Sequence, residues 1–271
     1  MLSLGMSNCV SPFVHVQAAL APDDMDFLKT ACKRCLEVER MPCYALLDGI
    51  ESKTFRKIKA ALEHRVGAAL HYLNDFYLYT DSSFRTNWHV DTELFAFDRA
   101  VNAWILLSPD VVENPLGFIA GINTPSTGIF HSARAGKYDC IFGNYCTGES
   151  LVRANETIES EHLHTPRIRV GDILAFDPRR FHRTNVSTPK HAISIKFVLE
   201  GTDGFLSSTQ VDSYLWPEVE VFNRLVRTAR SWDEVLARLR QLLKGETTRR
   251  HLTAGFYPEQ FELYRKMALL L

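Results

Sequence analysis

The chain has 271 residues, 46% hydrophobic and 23% charged, with 14 Gly and 11 Pro, which excludes disordered, collagenous and low-complexity classes. Lys+Arg 31 against Asp+Glu 32 leaves a net charge of -1, so the balance argues against a nucleic-acid backbone or an anionic membrane and favours a small-molecule partner. No apolar run approaches the roughly 18 to 20 residues that span a bilayer, and the first residues, MLSLGMSNCV, lack a charged n-region, so a cytoplasmic protein with no membrane partner is expected.

In chain order, PFVHVQ reads as a short strand, Pro22 to Arg40 as a helix with acids early and bases late, and Ile58 to Tyr72 as a second helix. Within the first helix Cys32 and Cys35 form a lone CxxC. With no second pair to complete a zinc site they read as ordinary thiols, and six cysteines in all make no disulfide framework. From Asn74 the texture becomes β-rich, in DFYLYT, AVNAWILLS, GFIAGI, RIRVGDILAFD and KHAISIKFVLEG. Beyond Ser213 helical spacing returns in PEVEVFNRLVRTA and in SWDEVLARLRQLLKG, where Ser231 and Glu234 have capping-box spacing and Gly245 is placed to end the helix. The last stretch, YPEQFELYRKMALLL, reads as a further helix. The expected organisation is one domain over 1-271: an N-terminal strand and helices over 1-73, a β core over about 74-205 and a helical extension over about 213-271. The C-terminal helices suit packing on the core, a lid or a homodimer face, and sequence does not rank these.

The sharpest local feature is Asn87-Trp88-His89-Val90-Asp91. In an extended segment residues i and i+2 share a face, so His89 and Asp91 can offer an imidazole and a carboxylate to one metal. With 10 histidines and 32 acidic residues in 271, about one such match arises by chance, so the motif alone proves nothing. Its context adds weight. Far downstream Gly171-Asp172-Ile173-Leu174-Ala175-Phe176-Asp177-Pro178 reads as a turn, an apolar strand and a stop, followed by Phe181-His182-Arg183-Thr184. Two histidines and one carboxylate on one face of an octahedral Fe(II) leave three positions open.

Four stretches in this order, WHVD, VNAWILLSPD, NPLGFIAGIN and GDILAFDPRRFHRT, resemble the phytanoyl-CoA dioxygenase-like branch of the Fe(II)/2-oxoglutarate-dependent oxygenases, over roughly Phe76 to Glu200. The resemblance implies a mainly β fold with helical flanks around a double-stranded β-helix, or jelly roll. It implies His89, Asp91 and His182 as iron ligands and catalytic residues, with Fe(II), 2-oxoglutarate and O2 as cofactor and co-substrates. That family carries an Arg beyond the last ligand to pair with the distal carboxylate of 2-oxoglutarate, and here Lys190 stands in its place, with Lys196 in reserve. Lys190, Ala192, Ser194 and Lys196 share a face by the period of two. Thr184 resembles a position whose hydroxyl helps hold the co-substrate, and Trp104 the aromatic that walls its pocket. Asp91 leaves no vacant place for a halide, so the implied reaction is oxygenation: decarboxylation of 2-oxoglutarate coupled to hydroxylation of a small organic molecule, with desaturation, cyclisation or epimerisation as variants.

Plainer readings stand beside these. Arg179, Arg180, Arg183 and Arg85 serve as solvated loop charges or as contacts to an anionic substrate group at the mouth of the barrel. Phe76, Tyr77, Tyr79 and Phe84 read as core aromatics, and Phe95 and Phe97 as core or as pocket residues above the iron. Glu161-His162-Leu163-His164 has metal-compatible spacing but reads as a solvated loop, and His131 and His191 as surface or core residues. The missing Arg keeps open a cupin-like metal enzyme that does not use 2-oxoglutarate, and a non-catalytic jelly-roll sensor or binding protein is the further alternative.

Overall fold

A computed structural model describes residues 13–37, 44–80, 100–119, 163–177, 182–184, 189–199 and 230–244. Ten strands and three α-helices lie in these segments. In chain order they are β1 (Phe13–Val16), α1 (Pro22–Glu37), a 3-10 turn (Leu47–Gly49), α2 (Lys53–Val66), β2 (Leu70–Thr80), β3 (Ala100–Ser108), β4 (Val111–Glu113), β5 (Leu116–Ile119), β6 (Leu163–His164), β7 (Arg167–Arg169), β8 (Ile173–Phe176), β9 (His182–Thr184), β10 (Lys190–Leu199) and α3 (Trp232–Lys244).

The larger sheet has the order β1-β8-β3-β10-β2, with every pairing antiparallel. A three-stranded sheet of order β6-β5-β9 and the β4-β7 pair make up the rest. Alternation sorts the large sheet into two faces. Val101, Ala103, Ile105, Leu107, Ile173, Ile193, Ile195 and Phe197 pack with Leu28 of α1 and Phe55, Ile58 and Leu62 of α2 in one buried core. Trp104, Leu106, Leu174, Phe176 and Ala192 turn the other way and meet Val112, Leu116, Phe118 and Ile168 of the smaller sheets. The second cluster is the interior of the jelly roll; the first glues the helices to its outside. The mainly β architecture with helical flanks is as expected from the sequence.

Local chemistry explains the boundaries. Ser52 caps α2 by accepting from the Phe55 N–H, and Gly67, at φ 70°, ends it with its own N–H on the Glu63 carbonyl. The second helix therefore starts and stops earlier than the apolar spacing of Ile58 to Tyr72 suggests, and Leu70 to Tyr72 belong to β2. The run RIRVGDILAFD is broken at Gly171, which passes the chain from β7 in one sheet to β8 in another. Asp172 holds this corner by accepting from the N–H of Ala18 at 2.8 Å and of Arg169 at 3.0 Å and pairing with His15 Nε2 at 2.8 Å. Burial acts to raise the Asp172 pKa, but these hydrogen bonds outweigh it and hold the carboxyl below its ordinary value.

Asp75, wholly buried on the helix side of β2, accepts from the N–H of Ala45 and Leu46 and from the Tyr72 hydroxyl, tying the 44–46 segment to the sheet. Between helices, Asp24 of α1 accepts from Lys57 Nζ at 2.7 Å and Thr54 Oγ1 at 2.8 Å of α2. Of the capping box read at Ser231 one half forms, Ser231 Oγ accepting from the Glu234 N–H at 3.2 Å, while the Glu234 carboxylate accepts from the Arg230 N–H at 2.8 Å; α3 buries Leu236 in the helix-side core and Arg240 donates to the Leu47 carbonyl at 2.9 Å. Cys32 is a buried free thiol in the same core. The stretches PEVEVFNRLVRTA and YPEQFELYRKMALLL, and Gly245, lie outside the described residues. No helix among the described residues is long and apolar enough to cross a membrane.

Two stability tests follow. Gly171 has φ 91° and a Cβ there would stand 2.7 Å from the Leu20 carbonyl oxygen, whereas Gly67 has open space around it. Gly171→Ala is expected to cost about 2–4 kcal/mol and Gly67→Ala only about 1 kcal/mol, read by urea denaturation. Asp24 is lowered to about 2, chiefly by its Lys57 hydrogen bond. Its folded pKa lies below the unfolded value, so its stabilisation is complete above about pH 4 and is lost as pH falls through about 2. Asp24→Asn should flatten that part of an acid-denaturation curve.

Candidate active site

His182, Arg183 and Thr184 form β9, and their register against β5 is regular: His182 faces Phe118, Arg183 faces Gly117 and Thr184 faces Leu116. His182 and Thr184 are buried at 4% and 5% exposure and turn to the interior, because each shares its side of the sheet with a buried partner of the inner cluster. The His182 ring lies against Phe176 of the large sheet, 4.7 Å between centroids, and near Phe118 of its own sheet at 6.3 Å. Arg183, half-buried, stands on the opposite face of β9 from these two.

Across the interior, four residues of β10 alternate inward: Lys190, Ala192, Ser194 and Lys196. The ladders locate them. Lys196 pairs with Asn102, which pairs with Phe176; Ser194 pairs with Trp104, which pairs with Leu174; Ala192 pairs with Leu106. The His182 ring reaches this wall at Phe176, the partner of Asn102.

Lys190 is 1% exposed, and burial pushes its ammonium down to about 8. Trp104 is 2% exposed, and its indole Nε1 is the one buried side-chain polar atom among the described residues with no hydrogen-bond partner. A buried N–H without an acceptor costs about 1–3 kcal/mol, so an acceptor atom brought by a bound ligand would relieve it. The wall therefore fits a carboxylate-bearing ligand. Ser194 is also on it, with its hydroxyl donating to Asn102 Oδ1 at 2.5 Å. Asn102, inconspicuous in an apolar strand, escaped the sequence reading and is recognisable only once the register is known.

Of the three ligands expected for a metal, His182 is described, buried between the Phe118 and Phe176 rings. His89 and Asp91 lie outside the described residues, as do Arg85, Phe95, Phe97, Arg179 and Arg180. Among the described residues no three His, Cys, Asp or Glu side chains gather to hold a metal. Phe76 of β2 is opposite Ser194 and half-buried; Tyr77 is buried on the helix side, where its hydroxyl meets His191 Nδ1. Burial, with Lys29 adding to it, lowers His191 to about 4, so this histidine is a neutral core residue. His164, expected on a loop, belongs to the two-residue strand β6 and pairs with Phe118, which places it in the same row and on the same side as His182, about 10 Å away. His131 and Glu161 to His162 lie outside the described residues.

No protein-family model and no curated protein matches the chain. Solved structures do. The non-haem α-ketoglutarate-dependent carbocyclase SnoK from nogalamycin biosynthesis aligns at TM-score 0.51 and 16% identity, covering 69% of this chain and 80% of SnoK. The epimerase SnoN, solved with Fe3+, α-ketoglutarate and nogalamycin RO, aligns at 0.48 and 20% over 69% and 78%. HygX from Streptomyces hygroscopicus aligns at 0.47 and 13% over 74% and 92%. The likeness to SnoK establishes the shared fold.

The buried lysine sets a test of the metal-free protein. Between about pH 8 and about pH 10.4 the unfolded chain keeps a proton that folded Lys190 has released, so stability rises with pH across that window. Lys190→Met should remove this rise in denaturation curves taken from pH 7 to 10.5, and should leave the protein at least as stable as the wild type at pH 7.

Proposed function

We propose that this chain, as a single domain, is a non-haem Fe(II) oxygenase that couples oxidative decarboxylation of 2-oxoglutarate to hydroxylation, or a related C–H oxidation, of a small organic molecule. The observation that carries the proposal is the inner wall itself: a buried histidine, a buried threonine two residues on, an indole N–H without an acceptor and a wholly buried lysine, all on the inner faces of their strands. The fold shared with SnoK is a scaffold on which that wall makes sense. His89, Asp91 and His182 would hold the iron, and Lys190, Thr184 and Trp104 the co-substrate. When bound, Fe(II) and 2-oxoglutarate supply the oxidant: O2 takes two electrons from loss of CO2, giving succinate, and two from the substrate C–H bond.

The chain's own residues have definable tasks. Lys190 neutralises the distal carboxylate as a point charge, without the two-pronged geometry of an arginine, so orientation falls to other donors. The Trp104 N–H and the Thr184 hydroxyl suit that task. Phe176 and Phe118 hold the His182 ring from two sheets, which fixes where its donor nitrogen points and keeps water from its flanks. Leu106, Leu174 and Ala192 make the space between His182 and Lys190 apolar, so charges inside it interact strongly and the reacting centre stays dry. A soluble enzyme of natural-product or other small-molecule metabolism, working in the cytoplasm, is the setting this reading implies, with no nucleic-acid or membrane partner.

Adding Fe(II) and then 2-oxoglutarate to anaerobic protein is expected to give a saturable visible charge-transfer band, absent in His182→Ala. Asp91→Ala should abolish turnover. Lys190→Met should weaken 2-oxoglutarate binding about 10- to 100-fold while leaving Fe(II) binding nearly intact. Wild-type affinity should fall as pH rises above about 8, and Lys190→Arg should remove that fall. Tight Fe(II) binding with no band would instead support a cupin-like enzyme that does not use 2-oxoglutarate, and no metal binding a non-catalytic jelly roll.

A further inference from the structure

Four rings face one another across the interior as two ladder pairs. On the large sheet Phe13 of β1 is the partner of Phe176 of β8, and on the three-stranded sheet Phe118 of β5 is the partner of His182 of β9. Partners in a ladder lie side by side on one face, so each sheet presents two rings to the other. Phe13 lies on Phe118 with centroids 5.1 Å apart and Phe176 on His182 at 4.7 Å, while the diagonal from Phe118 to Phe176 is an edge-on contact of 5.0 Å. Within the small sheet the Phe118 and His182 rings lie 6.3 Å apart, 28° from parallel.

Phe118, Phe176 and His182 are buried, whereas Phe13 is half-buried on a four-residue strand at the edge of its sheet. That strand is held by more than its ladder. His15, on the same face as Phe13, pairs with Asp172; the Ala18 N–H donates to the same carboxylate, and the Leu20 N–H donates to the Gly171 carbonyl at 2.9 Å. Val16, on the other face, packs against the helix-side core. Phe13 is therefore placed independently of the other three rings, and it stands behind Phe118 as a stop. Ring pairs at these separations hold preferred tilts, so each contact restricts its partner's rotation. Without Phe13 the Phe118 ring is free to tip toward the vacated corner, Phe176 loses the surface it leans on, and His182 rests on both.

We propose that Phe13 is a positioning residue for His182: acting through Phe118 and Phe176, it fixes the plane of the imidazole without itself being a metal ligand or a substrate contact. This rests on the oxygenase reading above, in which that imidazole holds the iron. The brace itself belongs to the metal-free chain.

The test uses the full-length protein with isotope-labelled histidine and phenylalanine, the His182 signals being identified by their loss in His182→Ala. In the metal-free wild type the His182 ring protons are expected to show cross-relaxation with the Phe118 and Phe176 rings, and in Phe13→Ala these cross-peaks should weaken. Anaerobic Fe(II) affinity, read by competition with a chromophoric chelator, should fall about tenfold in Phe13→Ala. Phe13→Tyr, which keeps the ring, should restore both readouts. Val14→Ala, on the opposite face of β1, and Ile58→Val, in the helix-side core, should leave Fe(II) affinity within about twofold of wild type whatever their urea midpoints. Unchanged cross-peaks and Fe(II) affinity in Phe13→Ala overturn the inference, as does a loss of affinity that follows urea stability across all these variants. Should Phe13→Ala fail to fold, Phe13→Leu keeps apolar volume without a ring plane and is read in the same two ways. No Fe(II) binding by the wild type overturns the oxygenase reading, and the metal-free cross-peaks then decide the brace alone.

Discussion

Strands β3 and β10 lie at the centre of the large sheet and are covered on both faces, by helices outside and by the smaller sheets inside. A polar group buried on either strand is cut off from bulk water and must be satisfied within the protein or by something bound there. On the helix face the strands answer this by being largely apolar, with Val101, Ala103, Ile105, Ile193, Ile195 and Phe197, and the buried His191 there meets the Tyr77 hydroxyl. On the inner face they do not: Asn102, the Trp104 indole, Ser194 and Lys190 are all at or below 5% exposure. A core built only for stability would replace an ammonium with a leucine or methionine at no loss. Under the proposed function, that inner face of the same strands is the one that meets the ligand.

The identity of the deep cation shapes how such a cavity behaves. Arginine stays charged at any depth, whereas the ammonium of Lys190 is driven by burial into a range where it can lose its proton near physiological pH. A bound dianion would reverse that drift by restoring an opposite charge, so protonation and co-substrate binding are linked. The lysine also leaves the carboxylate free to rotate about a single point of charge. Angular definition then comes from neutral donors, and the indole N–H of Trp104 is the buried donor the described residues leave open for it.

Much of this fold was legible because long strands write a clear period. AVNAWILLS matches β3 residue for residue, and KHAISIKFVL and DILAF fall at β10 and β8. Short strands do not: β4, β6 and β9 have two or three residues each, too few to show alternation, and they become strands only by pairing. The end of α2 was obscured because apolar spacing continues past Gly67 into β2, and only the left-handed backbone at that glycine separates them. In the site, the residue types were readable and the levels were not. That Lys190 and Lys196 share a face follows from counting, but which residues of β3 they stand beside depends on the register, a non-local fact. Asn102 was passed over for the same reason, since it has no local pattern, whereas the spacing around His164 was visible but its pairing with Phe118 was not. Of the metal-ligand motif, the described residues contain His182 alone.

His182 shows why site and scaffold cannot be separated in this architecture. Its strand has three residues, of which two, His182 and Thr184, turn to the interior, so β9 by itself does little to orient an imidazole. The orientation comes from the rings on either side, Phe118 from the small sheet and Phe176 from the large one. Phe176 is in turn placed by β3 through Asn102 and by β1 through Phe13, whose own ring packs on Phe118 at 5.1 Å. The N-terminal strand thus closes a ring of aromatic contacts around the histidine, and the His15–Asp172 pair that holds β1 against the β7–β8 corner is part of what keeps it closed. Loosening that edge would be felt first as a loss of aim at His182, before any loss of the fold, because the aromatic contacts that set the ring's direction span both sheets and tolerate less displacement than the apolar core beneath the helices.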